Sequence, residues 1–172
     1  MRFPTACAIG LMVLGAATAW AAEDRVLELP ADYQTAFDNY MISDRLGQED
    51  QVISLFANEV ARSGPLQDGR LPEGSVLIGE LYKVKLDGDG APLLSPLNRR
   101  IPDKLAAIVV MEKRAEWAGQ YPDDLKLDGW EFEVFSPTGE NLAKDTTACR
   151  ECHAPLGETD YLWSIAHIRA AN

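Results

Sequence analysis

Two cysteines and a histidine near the end of the chain form the pattern C-x-x-C-H, with Cys149, Cys152 and His153 in the stretch ACRECHAP. Two thiols at this spacing can both add to the vinyl groups of one haem, and the adjacent histidine then reaches the iron. A thioredoxin-like redox motif, a zinc site or a small disulfide loop would use the same cysteines. The first needs a strand-to-helix junction that the sequence does not indicate, and the second needs another ligand pair. The pattern therefore predicts one covalent haem c, with His153 as the metal ligand.

The sixth coordination position of such an iron has few candidate ligands in this chain. Electron-transfer cytochromes usually fill that position with Met or His. No methionine follows His153, Met41 and Met111 lie well before it, and His167 lies off the apolar side of a predicted C-terminal helix. The sequence thus favours an open or water-filled position, which serves binding or chemistry on a small ligand. An electron-transfer cytochrome with a sixth ligand from Met41, Met111 or His167 stays an alternative.

Residues 1–21 have the features of a secretory signal peptide. A positively charged start precedes an apolar run over residues 6–17 that is too short to span a bilayer, and an A-x-A pattern ends at Ala21. Cleavage near Ala21 would remove the third cysteine, Cys7. No later stretch is long and apolar enough for a membrane span. We therefore predict an exported, periplasmic protein with no membrane span, in which residues 22–172 form one domain.

The chain is acidic, with 27 Asp and Glu against 16 Lys and Arg and a formal net charge of −11. This charge disfavours binding to nucleic acid and to anionic membrane surfaces. The rest of the composition is ordinary for a globular protein, with 47% hydrophobic and 25% charged residues. The mature length of about 150 residues is sufficient for one hydrophobic core.

Hydrophobic patterning predicts helices at both ends of the domain and strands between them. Apolar residues at helical spacing indicate a helix over residues 33–41 and another over residues 158–172. Apolar runs bounded by Gly, Pro and Asp turns indicate strands. This order predicts an α+β fold, an antiparallel β-sheet with flanking helices, in which the C-terminal C-x-x-C-H haem segment is followed by a helix. The predicted strands lie within residues 51–58, 71–92, 105–113 and 129–140.

Five segments spread over most of the mature chain carry a family resemblance: YQTAFDNYMISDR, LPEGSVLIGELYKVKLD, AAIVVMEKRAEW, GWEFEVFSPTGE and DTTACRECHAPLGETDYLW. They resemble the cytochrome P-460 family, which includes the cytochromes c′-beta. The C-x-x-C-H motif is specific for haem, and its combination with PEGSVLIGELYK and MEKR makes the match specific for the family. The resemblance implies a sheet-rich periplasmic homodimer that holds one covalent haem with an open distal face.

The family divides by a lysine that is cross-linked to the porphyrin in the cytochromes P-460, which oxidise hydroxylamine. Gly79 occupies the matching position here, and Lys83 and Lys85 lie too far along the strand to replace that lysine. The resemblance thus implies a five-coordinate haem that binds a small gas such as nitric oxide, for sensing, carriage or detoxification. Oxidation of hydroxylamine or another small nitrogen species is the alternative, so the sequence does not decide whether the protein is an enzyme. A redox partner protein stays open in either case.

The strand that contains Gly79 predicts which residues contact the haem. Alternation places Leu77 and Leu81 on the face of Gly79, and the resemblance implies that this is the haem face. Glu80 then lies on the other face among apolar residues, where we expect it to be hydrogen-bonded or ion-paired in a structural role. A β-bulge unrelated to any ligand is the other interpretation of Gly79.

The cytochromes c′-beta resemble each other in an aromatic cap over the open iron position. Phe56, Phe132 and Phe135 are the candidates for this cap, although each could instead be an ordinary core residue. The cytochromes P-460 also tend to use a distal carboxylate that precedes the C-x-x-C-H motif. Asp145 is the acidic residue in that stretch, and it could equally form a turn or cap with Thr146.

Overall fold

The computed structural model describes residues 27–119 and 121–170, and the predicted signal peptide with Ala21 lies outside them. Five strands form one antiparallel sheet in the order β1-β2-β3-β4-β5, and short helices flank it, so the predicted α+β fold is confirmed. None of the described helices is long and apolar enough to cross a membrane. The strands are β1 (Asp38–Asp44), β2 (Gln51–Ala57), β3 (Val76–Val84), β4 (Pro102–Lys113) and β5 (Trp130–Phe135). The helices are α1 (Tyr33–Ala36), α2 (Glu59–Ser63), α3 (Thr147–His153) and α4 (Ile165–Ala170), with 3₁₀ turns at Ala115–Trp117, Asp123–Leu125 and Ala154–Thr159.

The first predicted helix is wrong beyond its first turn. The helix α1 ends at Ala36, and the chain continues directly into β1 at Asp38. The register between β1 and β2 shifts between Asn39 and Met41, so the strand contains a bulge. A bulge interrupts the strict alternation of side chains along a strand. The apolar residues of this segment therefore do not alternate, and their spacing resembles that of a helix.

The predicted C-terminal helix is much shorter than expected. Residues Ala154–Thr159 form 3₁₀ turns, and α4 begins only at Ile165. Asp160 and Tyr161 between them have left-handed backbone conformations, with φ of 54° and 61°. A continuous α-helix cannot pass through two such residues, so the chain turns a corner there.

One face of the sheet, which we call the cysteine face, packs against α3 and α4. Leu77 and Phe132 belong to a buried cluster on this face, and the half-buried Cys149 packs against the cluster. Gly79 and Leu81 continue the same face along β3 by alternation. The buried members of the cluster are Ala57, Ala61, Leu71, Leu77, Met111, Leu127, Trp130, Phe132, Leu162 and Ile168.

The opposite face, which we call the Tyr33 face, carries the second buried cluster and Glu80. The side chain of Glu80 is 3% exposed, and it accepts hydrogen bonds from the Tyr33 hydroxyl at 2.6 Å, the Gln34 amide at 2.7 Å and the Tyr82 hydroxyl at 2.8 Å. The predicted hydrogen bonding of Glu80 on this face is therefore confirmed. Burial and the neighbouring carboxylate raise the pKa of Tyr33 above its ordinary value. The remaining cluster members are Leu27, Phe56, Ile78, Ile108, Val110, Trp117 and Phe135.

Candidate haem site

The helix α3 carries both cysteines of the C-x-x-C-H motif. Cys149 and Cys152 are three residues apart on a helix, a spacing that places two side chains on the same side of it. Both are free thiols; Cys149 is half-buried against the cysteine-face cluster, whereas Cys152 is exposed. Burial raises the pKa of the Cys149 thiol. The two thiols thus lie on the same side of α3, and Cys149 is at the edge of an apolar surface.

The imidazole of His153 is fixed by one backbone carbonyl and one aromatic ring. Its Nδ1 donates a hydrogen bond to the Tyr161 carbonyl oxygen at 2.6 Å, and its ring meets the Phe132 ring edge-on with centroids 5.2 Å apart. Burial lowers the pKa of His153, with the hydrogen bond to Tyr161 acting in the opposite direction. A carbonyl oxygen can only accept a hydrogen bond, so Nδ1 must carry the proton. In the neutral ring the free lone pair is then on Nε2, where it can bind an iron.

A buried ion pair ties α3 to the sheet. Arg150, between the two cysteines, is 1% exposed, and its Nη2 lies 2.5 Å from Oε1 of Glu131 and 3.1 Å from the Trp130 carbonyl oxygen. The guanidinium carbon also lies 3.3 Å from the centroid of the Tyr121 ring. Such a planar, multiply bonded contact fixes both the position and the rotation of the helix.

Asp145 acts at the start of α3. Its Oδ1 accepts hydrogen bonds from the Thr147 backbone N–H at 2.9 Å and from the Thr147 hydroxyl at 2.7 Å. These bonds lower the pKa of the exposed Asp145 carboxyl. The sequence allowed Asp145 to be either a distal carboxylate or part of a turn or cap with Thr146. In the structure it forms a turn, and its partner is Thr147 rather than Thr146.

Small and aliphatic residues surround Gly79 on the cysteine face. Gly79 lies opposite Leu55 of β2 and Val109 of β4. A Cβ added at Gly79 would lie 2.9 Å from Cγ2 of Val109, 3.1 Å from Cδ1 of Ile53 and 3.4 Å from Cδ2 of Leu55. Ile53, Leu55 and Val109 are half-buried, so this apolar part of the face is partly open to solvent.

The structure brings some of the sequence-predicted site residues to the cysteine face and separates others from it. Leu77, Gly79, Leu81 and Phe132 share the face with Cys149. Phe56 does not, because it lies opposite Ile78 and packs edge-on against Tyr33 with ring centroids 5.4 Å apart. Phe135 also belongs to the Tyr33-face cluster. Phe56 and Phe135 are thus buried core residues on the face of the sheet opposite Cys149.

The three alternative sixth ligands lie in different surroundings. Met41 lies opposite Leu55, so it is on the cysteine face, and Met111 is buried in the cysteine-face cluster. His167 is exposed on α4. The two methionines thus share a sheet face with the predicted haem residues, whereas His167 extends into solvent.

Comparison with known proteins places the chain in a family. The sequence model of the family Cytochrome P460 matches residues 30–164, which is most of the chain. The chain belongs to the cytochrome P460 family. The resemblance inferred from the sequence segments is therefore confirmed. A search of curated protein sequences finds no match to the chain.

Membership of the cytochrome P460 family implies a haem cofactor, and the donor atoms of this chain fit one. Cys149 and Cys152 offer two thiols on one side of α3, and His153 offers Nε2 beside them. The adjoining sheet face is apolar, as a porphyrin surface requires. A haem held here would supply an iron centre for redox or ligand chemistry.

Sequence reasoning did not find the residues that support His153. Tyr161 acts through its carbonyl oxygen, which has no side-chain signature in a sequence. Arg150 lies inside the C-x-x-C-H motif, and Lys113 and Asp160 lie within segments that carry the family resemblance. Charged residues also stand next to them in the sequence, with Glu112 and Arg114 beside Lys113 and Glu151 beside Arg150, so no local pattern marks these charges as buried.

Proposed function

We propose that this cytochrome P460 family member is a c-type haem protein with one haem attached through Cys149 and Cys152 and ligated by His153. The hydrogen bond from His153 Nδ1 to the Tyr161 carbonyl supports this proposal most directly. It directs Nε2 away from the backbone as a free lone pair next to the two thiols. Helix α3, held by Arg150, keeps the three groups in a fixed relation to the cysteine face.

We further propose that the sixth coordination position is open and that the protein binds a small gas such as nitric oxide, for sensing, carriage or detoxification. The observation that carries this step is the apolar surround of Gly79. Side chains such as Ile53, Leu55 and Val109 offer no hydrogen-bond donor. Bound dioxygen depends on such a donor for stabilisation, whereas bound nitric oxide depends on it much less. Gas binding is therefore favoured over oxidation of hydroxylamine, for which Gly79 provides no lysine.

An electron-transfer cytochrome is the second candidate, and the position of Met41 favours it. Met41 lies on the cysteine face opposite Leu55, so a methionine thioether is available on the same side of the sheet as His153. The two candidates differ in one observable. A gas-binding protein keeps a high-spin, five-coordinate iron, whereas a Met-ligated electron carrier is low-spin in both oxidation states.

The experiment that tests the proposed function begins with export and haem attachment. The full chain is expressed with a c-type haem maturation system, and haem staining after denaturing electrophoresis measures covalent attachment. We expect the wild type to stain, the double variant Cys149→Ala with Cys152→Ala not to stain, and the ferrous wild type to bind one nitric oxide per chain. Haem that stays attached to the double variant would contradict the attachment, and a ferrous protein that binds no nitric oxide would contradict the gas-binding function.

A matched pair of histidine variants separates the iron ligand from a surface histidine. His153→Ala should remove the five-coordinate spectrum, whereas His167→Ala should leave it unchanged because His167 is exposed on α4. The opposite result would contradict the assignment of His153.

The remaining parts of the proposal concern export and assembly. We propose that residues 1–21 are a signal peptide cleaved near Ala21, that residues 22–172 form one periplasmic domain, and that the protein is a homodimer. N-terminal sequencing of the exported protein checks the cleavage site. Light scattering after size-exclusion chromatography checks the dimer, and a monomeric mass would contradict it.

A further inference from the structure

The corner formed by Asp160 and Tyr161 determines where the His153 imidazole can point. Both residues have positive φ, 54° and 61°, and the carbonyl that accepts the His153 Nδ1–H belongs to Tyr161. Asp adopts this conformation more readily than most residues, but a bulky Tyr does so rarely. The surrounding structure must therefore hold the corner in place.

The Asp160 side chain anchors that corner to the rest of the protein through hydrogen bonds. Its side chain is 0% exposed, and Oδ1 accepts a hydrogen bond from Lys113 Nζ at 2.6 Å while Oδ2 accepts one from the Leu71 backbone N–H at 2.8 Å. Arg70 Nη1 lies farther away, 3.6 Å from Oδ1. Asp160 thus connects the corner to β4 and to the segment before β3, two parts of the chain that lie outside α3.

Lys113 is an unusual partner for such a contact. It is 8% exposed at the end of β4, and its ammonium lies 5.5 Å from the centroid of the buried Trp130 ring. Burial of an ammonium and a carboxylate has a large desolvation cost, so the pair is a poor way to gain stability alone. A directional contact between two buried charges does, however, define one geometry and exclude others.

We propose that Lys113 and Asp160 are positioning residues for His153. The ion pair holds the Asp160–Tyr161 corner so that the Tyr161 carbonyl accepts the Nδ1–H, and this selects the tautomer with a free Nε2. Through the same bond it raises the basicity of the imidazole toward a metal. The role of this pair toward the iron rests on the proposed haem ligation. Its effect on the His153 tautomer concerns only residues of this chain.

The first test measures the tautomer of His153 in the full chain without haem. Nitrogen-15 chemical shifts report whether Nδ1 or Nε2 carries the proton. Wild type should show the Nδ1–H form, whereas Lys113→Met and the double variant Lys113→Met with Asp160→Asn should shift toward the Nε2–H form that a free histidine side chain prefers. Asn keeps the size of Asp and tolerates positive φ, and the double variant leaves no buried unpaired charge.

Two further variants control this test. Lys113→Arg keeps the positive charge and should retain the wild-type tautomer, and Lys126→Met removes a Lys from the exposed pair with Asp123 and should have no effect. Circular dichroism identifies which variants are folded. If either folded Lys113→Met variant keeps the wild-type Nδ1–H population, the positioning role is overturned.

The second test uses the haem-loaded protein, and it decides the question if the haem-free chain is not folded. Resonance Raman spectroscopy of the ferrous form measures the iron–histidine stretching frequency, which falls when the Nδ1 hydrogen bond weakens. We expect a lower frequency in the double variant, the wild-type frequency in Lys113→Arg and no change in Lys126→Met. An unchanged frequency in the double variant overturns the inference. A wild type that attaches no haem would overturn the proposed function instead, so the two failures are distinguishable.

Discussion

Val109 lies directly opposite Gly79 on the neighbouring strand, and its Cγ2 methyl group lies 2.9 Å from the position that a Cβ of residue 79 would take. Any larger side chain at residue 79 must therefore displace Val109 or Ile53. In the cytochromes P-460 that the chain resembles, the matching strand position carries a cross-linking lysine. Here, aliphatic side chains from both neighbouring strands pack against that position. This packing agrees with the absence of a lysine at residue 79 and supports the proposal of a haem without a cross-link.

The first prediction follows from that packing. Gly79→Ala should destabilise the protein by about 1–3 kcal/mol because the added methyl group overpacks a buried site. The companion substitution Val109→Ala opens space, so the double variant should recover part of the loss. Urea unfolding measures the free energy of unfolding for each protein.

A control for this prediction is Gly88→Ala, because a Cβ at Gly88 would meet no atom within 4 Å. That variant should change the free energy of unfolding by less than about 0.5 kcal/mol, as for an ordinary surface substitution. Equal effects of Gly79→Ala and Gly88→Ala would contradict the packing argument.

The second prediction concerns the buried pair of Arg150 and Glu131. Arg150→Met should destabilise the protein by about 3–5 kcal/mol because it removes the guanidinium whose positive charge balances the buried Glu131 carboxylate. The double variant Arg150→Met with Glu131→Leu removes both charges and should be clearly more stable than the single variant. Thermal unfolding followed by circular dichroism measures the three proteins.

A surface pair provides the comparison for Arg150. Lys126→Met breaks the exposed pair with Asp123, and such pairs contribute no more than about 1 kcal/mol. If Arg150→Met were as mild as Lys126→Met, the proposed anchoring of α3 would be wrong.

The third prediction is a loss of stability at alkaline pH. Burial raises the pKa of Tyr40 to about 12, and burial together with the Glu80 carboxylate raises the pKa of Tyr82 to about 12. The unfolded chain ionises its tyrosines near pH 10 and the folded chain does so later, so the unfolded state loses protons first. The stabilisation is complete below pH 10 and should decrease as pH rises from 10 to 12.

Tyr40→Phe isolates one contribution to this pH dependence. The variant loses the contact of 2.9 Å between the Tyr40 and Ser164 hydroxyls and should be less stable at pH 8. It should also lose stability less steeply than wild type between pH 10 and 12, by up to about 1.4 kcal/mol per pH unit for one proton. Parallel curves for the two proteins in urea unfolding would contradict the assignment to Tyr40.

The strands and the haem motif could be predicted from the sequence because both have short-range signals. Alternation in VLIGELYKV correctly separated Glu80 from Leu77, Gly79 and Leu81, since side-chain direction along one strand depends only on residue spacing. The same reasoning could not place Phe56. Its face depends on the register of β2 with β3, where it lies opposite Ile78, and that register is a long-range property.

The lengths of two helices could not be predicted from the sequence, because tertiary contacts override local helix preference there. The helix predicted over residues 33–41 ends at Ala36, because pairing with β2 satisfies the backbone of β1 from Asp38 onward. The helix predicted over residues 158–172 is interrupted by Asp160, whose carboxylate bonds to Lys113 and to the Leu71 N–H. Partners that are 47 and 89 residues away leave no periodic trace in the sequence.

The ferrous visible and resonance Raman spectrum of the purified protein tests the central claim most directly. A haem on Cys149 and Cys152 with His153 as its protein ligand and no cross-link at Gly79 predicts an ordinary c-type Soret band with a high-spin, five-coordinate signature. A ferrous band strongly shifted to the red would reveal a cross-linked porphyrin and contradict the account of Gly79. A low-spin, six-coordinate spectrum in both oxidation states would contradict the open position.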